Sequence, residues 1–564
     1  MSARSGDSAR PASMEGTLKL AMETARNRLM VAVFLFAGAF MALGFRTIGL
    51  GLMQDVSLRS GPDRALSQVI AARADIVDRN GVVLATNLQT ASLYADPRRV
   101  FEPEIAAARL AAVLPELSQS TVLEKLKSNR RFVWIRRKLT PRQMWRVNAL
   151  GLPGFSFQME EHRVYPQGSL AAHVVGYVDV DGRGLGGIEY YFDDRLGNPA
   201  DASEPLVLSI DSRIQHALAD ELKKAAERFG AAGAAGIVMN INSGAVLGMV
   251  SVPDFDPNHA NLASGTDRFN RATAAVYELG STFKTFTIAA ALETGTVRLT
   301  DSYDASEPIR IARYTISDNH PQNRMLTVPE IYTYSSNIGA ARMALDLGRD
   351  RQRAFLAGLG LLRAAVIELP EVGRPIFPQR WGDVHTMTIA YGHGIAVSPL
   401  QLTTAIAAMV NGGTLIPATL VDQPRHIRPA GRRVISAHTS DDIRMLMRLA
   451  VTSGTGRQAD VPGYRVGGKT GTAEKSGVGG YRSDALVSSF IGVFPMDAPE
   501  FVVFALLDEP KGRAETLNFA GGGWVSAPVV RNVIARIAPI LGVEPKQEDE
   551  SHYRQAALLI RESD

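Results

Sequence analysis

Ser281 and Lys284 stand three residues apart in the run Tyr277-Glu278-Leu279-Gly280-Ser281-Thr282-Phe283-Lys284. On a helix that spacing puts the hydroxyl and the amine on one face, one turn apart. Gly280 before the serine and the apolar residues 286–292 after the lysine predict a loop feeding a buried helix. Ser281 would then sit at a helix N-terminus, where free N–H groups and the positive dipole end favour developing negative charge. A serine activated by an adjacent base, forming a covalent acyl intermediate, is the chemistry such a pair supports. A long chain holds about one Ser-x-x-Lys by chance, so the pair needs partners. Two polar clusters offer them: Ser335-Ser336-Asn337 near a turn, and Lys469-Thr470-Gly471-Thr472 behind Gly467 and Gly468.

The elements that must position these residues belong to a large chain. At 564 residues it should divide into about three or four domain-sized units. Apolar content of 46% and charged content of 21% describe a folded protein. A net charge of +4 gives no nucleic-acid footprint, and no nucleic-acid partner is expected. The one dense basic cluster, Arg130, Arg131, Arg136, Arg137 and Lys138, reads as a solvated face or a partner surface. The chain has no cysteine, which excludes disulfides, thiol nucleophiles and cysteine metal sites. Its histidines lack metal spacing, so no metal is expected, and His385 and His393 read as structural.

Residues 1–28 are polar and charged, a cytoplasmic tail. Residues 29–45 carry no charge and the apolar character continues to Met53, long enough for a transmembrane anchor over 29–53. Lys19, Arg26 and Arg28 place the N-terminus in the cytoplasm. The alternative is a cleaved signal peptide with Ala37-Gly38-Ala39 as its site, but the long charged lead favours an uncleaved anchor. Residues 60–203 predict a β-rich pedestal: a turn at 78–81 between two short strands, a helical stretch over 101–150, and strand and turn over 163–178. A boundary near 198–206 opens a second domain, 204–541. There a strand over 206–210 precedes a helix over 214–226 capped by Asp211 or Ser212, and a hairpin turns at Asn242-Ser243-Gly244. Residues 327–410 read as largely helical, with breaks at Pro370 and Ser398-Pro399. Strands over 464–472, 486–493 and 501–507 form a meander closed by a helix over 529–541, before a mobile tail, 542–564. The fold class is multidomain α/β, with an antiparallel sheet flanked by helices and an all-helical subdomain in the second domain.

Ser-x-x-Lys, Ser-x-Asn and Lys-Thr-Gly in this order resemble the motifs of the penicillin-recognising serine acyltransferases. From residue 29 to about 540 the chain resembles a class B penicillin-binding protein, a peptidoglycan D,D-transpeptidase. Arg73-Ala74-Asp75-Ile76-Val77-Asp78-Arg79-Asn80-Gly81 resembles the start of that family's pedestal, and residues 163–178 its second element. Val397-Ser398-Pro399-Leu400-Gln401-Leu402 is similar to the helix after the family's insert. Leu279 departs from the proline common there. Tyr94-Ala95-Asp96-Pro97 and residues 178–184 resemble the division-specific branch, and the stretch between anchor and pedestal is too short for a glycosyltransferase domain.

The resemblance implies a single-pass protein of the cell inner membrane with a periplasmic catalytic domain, needing no cofactor. It would cross-link septal cell wall through D-alanyl-D-alanine stem peptides and be acylated by β-lactams. Expected partners are divisome membrane proteins, including a lipid II glycosyltransferase. An elongation-specific enzyme, a carboxypeptidase or β-lactamase on the same fold, and a non-enzymatic scaffold or β-lactam sensor are the alternatives. Ser281 would be the nucleophile. Lys284 would be its base only if its pKa fell by about three units from about 10.4, through burial and the Lys469 cation. In the alternative, Lys284 stays charged and Ser335 passes the proton. Asn337 would orient Lys284; Lys469, Thr470, Gly471 and Thr472 would bind the terminal carboxylate; the N–H groups of Ser281 and Thr472 would form the oxyanion hole. Glu278, Asp318, His320 and Tyr391 are further wall residues.

Overall fold

Asp78 turns the chain at the start of the pedestal. Its carboxylate accepts from the N–H groups of Asn80 and Val82, both at 2.8 Å, and Gly81 takes φ +82°, so β1 (Ile76–Val77) folds back into β2 (Val83–Ala95). The expected pair of short strands is half right. β2 runs 13 residues because it is shared, pairing in turn with β1, with β3 (Val133–Leu139) and with β4 (Phe155–Val164). Nor are residues 101–150 helical throughout. Helices Pro103–Val113, Gln119–Leu126 and Pro141–Asn148 are interrupted by β3, which buries Val133, Ile135 and Leu139 while Arg136 stays exposed. The basic cluster masked this strand's alternation. Between residues 163 and 178 two short helical turns, Gly168–Ala171 and Ala172–Val175, follow β4. At the heart of the pedestal the fully buried Glu189 carboxylate accepts from Arg73 Nε at 2.6 Å and Arg163 Nε at 2.7 Å. β5 (Leu206–Val207) then pairs in parallel with β1, so the chain enters its second domain by completing the pedestal sheet.

This computed structural model describes residues 30–31, 33–41, 73–201, 203–311, 314–423, 430–477 and 480–546. Residues 1–71 and 72–564 are separate units. In the first, residues 33–41 are helical; the cytoplasmic tail, the rest of the expected anchor and most of the C-terminal tail lie outside the described residues. No helix among the described residues is long and apolar enough to cross a membrane.

The second domain is a three-layer sandwich. Helix α1 (Ser212–Phe229) is capped by Asp211, which accepts from Arg213 N at 3.0 Å, and ends at Gly230 with φ +57°. The hairpin of β6 (Gly233–Asn240) and β7 (Val246–Val252) turns where the Asn240 side chain accepts from the N–H groups of Asn242 and Ser243. β8 (Gly467–Gly477), β9 (Gly480–Phe494) and β10 (Phe501–Asp508) form the meander, and the antiparallel sheet runs β8-β9-β10-β6-β7. Alternation along the strands splits the core: Ile237, Met239, Val502, Phe504 and Leu506 face one side, Ala234, Val238, Val503 and Leu507 the other. On the first side lie α2 (Lys284–Glu293), α3 (Val328–Thr333), α4 (Asn337–Leu347), α5 (Pro399–Val410) and α6 (Ala437–Thr452); on the second lie α1 and α7 (Ser526–Ile537). The insert is less helical than expected. Residues 359–382 are turns and loops, a stretch interrupted by Gly360, Pro370, Gly373, Pro375 and Pro378.

Candidate active site

Helix α2 is apolar on nearly every side and sunk in the core, taking Lys284 with it to 0% exposure. Gly280–Phe283 forms a tighter 3-10 turn ahead of it, so Ser281 stands just before the α-helix rather than in its first turn, and it remains partly accessible. Leu279 is buried, and its carbonyl accepts from Thr282 Oγ1 at 2.9 Å. Two glycines let this turn close against its neighbours. Gly280 has φ +54°, and a Cβ there would lie 2.5 Å from the Thr472 carbonyl; a Cβ on Gly392 would lie 2.1 Å from the Gly280 carbonyl. The turn that carries Ser281 is thus held between β8 and the loop at 391–394.

Lys284 Nζ joins the first two motifs. It lies 2.8 Å from Ser281 Oγ, 2.7 Å from the Ser335 carbonyl, 3.1 Å from Ser335 Oγ and 2.7 Å from Asn337 Oδ1. The carbonyl and the amide oxygen only accept, and the amide's orientation is fixed because Asn337 Nδ2 donates to the Ser317 carbonyl at 2.9 Å. A neutral amine with its two N–H bonds on those acceptors has one lone pair left, which can accept from the nearer hydroxyl, Ser281. Burial first, then the like charge of Lys469, hold the Lys284 ammonium well below the usual lysine range, with Asp318 opposing. Ser335 reaches this place in a left-handed turn, φ +61°, at the N-terminus of α4.

Lys469 is also fully buried, on edge strand β8, with Nζ 2.9 Å from Ser335 Oγ and 3.3 Å from Thr470 Oγ1; burial pushes its pKa down to about 7. Thr470 Oγ1 meets Thr455 Oγ1 at 2.8 Å, and Thr472 Oγ1 accepts from Gly522 N–H at 2.9 Å, leaving its own proton to donate. Gly471 packs under Leu279, with a Cβ there 2.5 Å from the Leu279 carbonyl. Ser281, Lys284, Ser335, Asn337, Lys469, Thr470, Gly471 and Thr472 therefore converge on one place.

Of the wall residues, Glu278 accepts from Gly394 N–H at 3.1 Å and from Tyr481 Oη at 3.0 Å, and its burial raises its pKa. His393 lies between Tyr391 and Tyr481, at ring distances of 5.2 Å and 5.4 Å, its pKa pushed down to about 4 by burial and Lys284. His320 is exposed. Asp318 is not a wall but a support: it accepts from Ser336 Oγ and from the N–H groups of Asn337 and Ile338. Tyr481, Thr455, Gly392 and the Ser317 carbonyl escaped the sequence reading, since common residue types far away in the chain carry no local signal.

A family model described as the penicillin binding protein transpeptidase domain matches residues 234–535, and one described as the penicillin-binding protein dimerisation domain matches residues 68–197. The chain is 42% identical over 532 residues to the probable peptidoglycan D,D-transpeptidase FtsI of Caulobacter vibrioides, covering 92% of this chain and 90% of that protein. The apo transpeptidase domain of Burkholderia pseudomallei penicillin-binding protein 3 superposes with a TM-score of 0.55 at 32% identity, covering 61% of this chain and 99% of that one. Penicillin-binding protein 3 of Mycobacterium tuberculosis, solved with aztreonam, superposes with a TM-score of 0.66 at 24% identity, covering 84% and 97%, a likeness of fold.

Proposed function

The chain belongs to the class B penicillin-binding protein family, and we propose that it is a serine-type peptidoglycan D,D-transpeptidase that cross-links the cell wall at division. The observation that carries this reading is the set of four oxygens around Lys284 Nζ, which ties the nucleophile to the Ser335–Asn337 motif, and Ser335 Oγ carries the link on to Lys469 Nζ at 2.9 Å. Ser281 Oγ attacks the penultimate carbonyl of a D-alanyl-D-alanine stem while its proton passes to neutral Lys284. Lys469, Thr470 and Thr472 hold the terminal carboxylate, with Gly471 letting β8 lie against the turn. The N–H groups of Ser281 and Thr472 receive the oxyanion, a donor pair whose members are worth about 10²–10³ each in other acyl-transfer enzymes. The C–N bond breaks, and the leaving D-alanine amine takes the proton through Ser335, which touches both lysines. An amine of a second stem then attacks the acyl-enzyme, forms the cross-link and returns the proton to Ser281. A β-lactam enters the same way, but its leaving amine stays tethered, so the acyl group persists.

The direct Lys284 route is favoured by the 2.8 Å contact between Lys284 Nζ and Ser281 Oγ, which puts the amine within reach of the hydroxyl proton. The division role rests on the likeness to the Caulobacter protein's printed name. With it goes a setting of residues 29–53 in the inner membrane, residues 1–28 in the cytoplasm, the catalytic domain in the periplasm, and divisome partners including a lipid II glycosyltransferase. The test is labelling by a fluorescent penicillin, with the adduct located by mass spectrometry. Ser281→Ala should abolish it, a loss of up to about 10⁶ in rate; labelling that survives, or an adduct elsewhere, sinks the assignment.

A further inference from the structure

Asp318 touches neither the nucleophile nor the carboxylate clamp, yet it organises the loop on which two catalytic side chains stand. Its Oδ2 accepts from Ser336 Oγ at 2.7 Å, and its Oδ1 accepts from Asn337 N–H at 2.5 Å and from Ile338 N–H at 3.0 Å. The Ser336 hydroxyl accepts in turn from Gly339 N–H at 3.0 Å. Together they satisfy the open N–H groups of α4 and place an anion at its positive end. The neighbouring Ser317 carbonyl takes the Asn337 amide, and that amide fixes Oδ1 on Lys284. The residue held at the bend is Ser335, in a left-handed conformation that a non-glycine residue keeps only where its surroundings enforce it.

We infer that Asp318 is a positioning residue for acylation, which clamps the Ser335–Asn337 turn and supplies a negative charge that faces the buried Lys284. The charged and titratable groups around Lys284 are few. Lys469 faces it from β8, His393 from the loop at 391–394, and Asp318 from the loop before α3; Ser281, Ser335 and Asn337 are neutral. Of the first three only Asp318 is an anion, and it acts to keep a proton on Lys284. Removing its charge therefore makes Lys284 easier to deprotonate.

This inference rests on the reading of Lys284 as a base that works when neutral. The experiment compares the rate of labelling by fluorescent penicillin, across pH, for full-length wild type, Asp318→Asn, Asp318→Ser and Asp318→Glu. Both neutral variants should be slower at their plateau, and the acid limb of their profiles should move to lower pH by about one unit, since a nearby opposite charge shifts a pKa by about 1–3 units. Asp318→Glu keeps the charge and disturbs the geometry, so its plateau should fall while its limb stays. The two neutral variants keep different acceptors, and one folded variant is enough. A uniform loss of rate with an unmoved limb in Asp318→Asn or Asp318→Ser would make Asp318 a plain helix cap and overturn the inference, while the adduct still on Ser281 left the enzyme assignment standing. An adduct away from Ser281 in the wild type would overturn both.

Discussion

Replacing Lys469 by methionine should move the acid limb of acylation to higher pH, opposite to the loss of Asp318. Lys284 accepts a proton only when neutral, so its own affinity for protons sets where the rate begins to fall. Both lysine nitrogens reach the same Ser335 Oγ, at 3.1 Å and 2.9 Å, and so stand no more than about 6 Å apart. Two like charges about 6 Å apart, at an effective dielectric of about 20, repel by about 3 kcal/mol, or about two pKa units. Lys469 titrates near 7, so it carries its charge on the acid side of neutrality, where it opposes protonation of Lys284. Taking that charge away strengthens the hold of Lys284 on its proton and slides the limb upward by as much as about two units. At a fixed pH on the limb this is about a hundredfold in rate. Loss of the carboxylate contact lowers the rate at every pH and leaves the limb where it was, so a profile separates the two effects. The assay is the second-order rate of penicillin labelling from about pH 5 to about pH 9, with Ser281 occupancy checked by mass spectrometry. A limb that stayed in place, or moved down, would refute the idea that Lys469 holds Lys284 neutral.

Gly280→Ala should abolish labelling and lower the melting temperature. The new Cβ would need a left-handed φ of +54° and would meet the Thr472 carbonyl at 2.5 Å, so the nucleophile turn and β8 must part. Normal labelling by this variant would show that the strand can withdraw freely. Glu189→Gln should destabilise the protein by about 3–5 kcal/mol in denaturant unfolding, because Arg73 and Arg163 lose the buried carboxylate that pairs both. The acylation rate per folded molecule should not change, and an unchanged unfolding midpoint would show that the pedestal does not need this carboxylate.

The candidate catalytic set was legible as three short motifs because each part of it is local. Ser281 and Lys284 need one helical turn, and Lys469 to Thr472 one strand, so spacing along the chain nearly fixes spacing in space. What holds the parts together was not legible. Asp318 reaches Ser336 and Asn337 through a loop, and Tyr481 reaches Glu278 across the domain, by contacts that any acidic or aromatic residue could make. The central sheet showed itself through alternation and the Asn242-Ser243-Gly244 turn. β3 did not, because Arg136, Arg137 and Lys138 hid its apolar face, and the length of β2 was set by the strands around it. Leu279, the departure from the family pattern, is buried, so its apolar side chain holds the turn in the core.

The burial that lowers the lysine pKa values should also weaken the fold, with a definite pH dependence. Lys469 is fully buried against the hydroxyls of Ser335 and Thr470, with Nζ 5.6 Å from the Tyr332 ring centre. Its pKa falls from 10.5 to about 7 in the folded protein, through desolvation. Between those two values the unfolded chain binds the proton and the native chain does not, so native stability must rise with pH through that window and be flat below it. The full span corresponds to roughly 4–5 kcal/mol. Lys469→Met lacks this linkage; groups that titrate alike in both proteins cancel in the difference, and Lys284, whose hold on its proton strengthens in the variant, adds to it in the same direction. Denaturant unfolding should therefore find the variant the more stable near pH 7, with the wild type gaining on it steadily toward pH 10. Parallel stability curves through the window would mean that Lys469 keeps an ordinary proton affinity in the fold. In that case Lys469 would be charged throughout the acid limb and well above it.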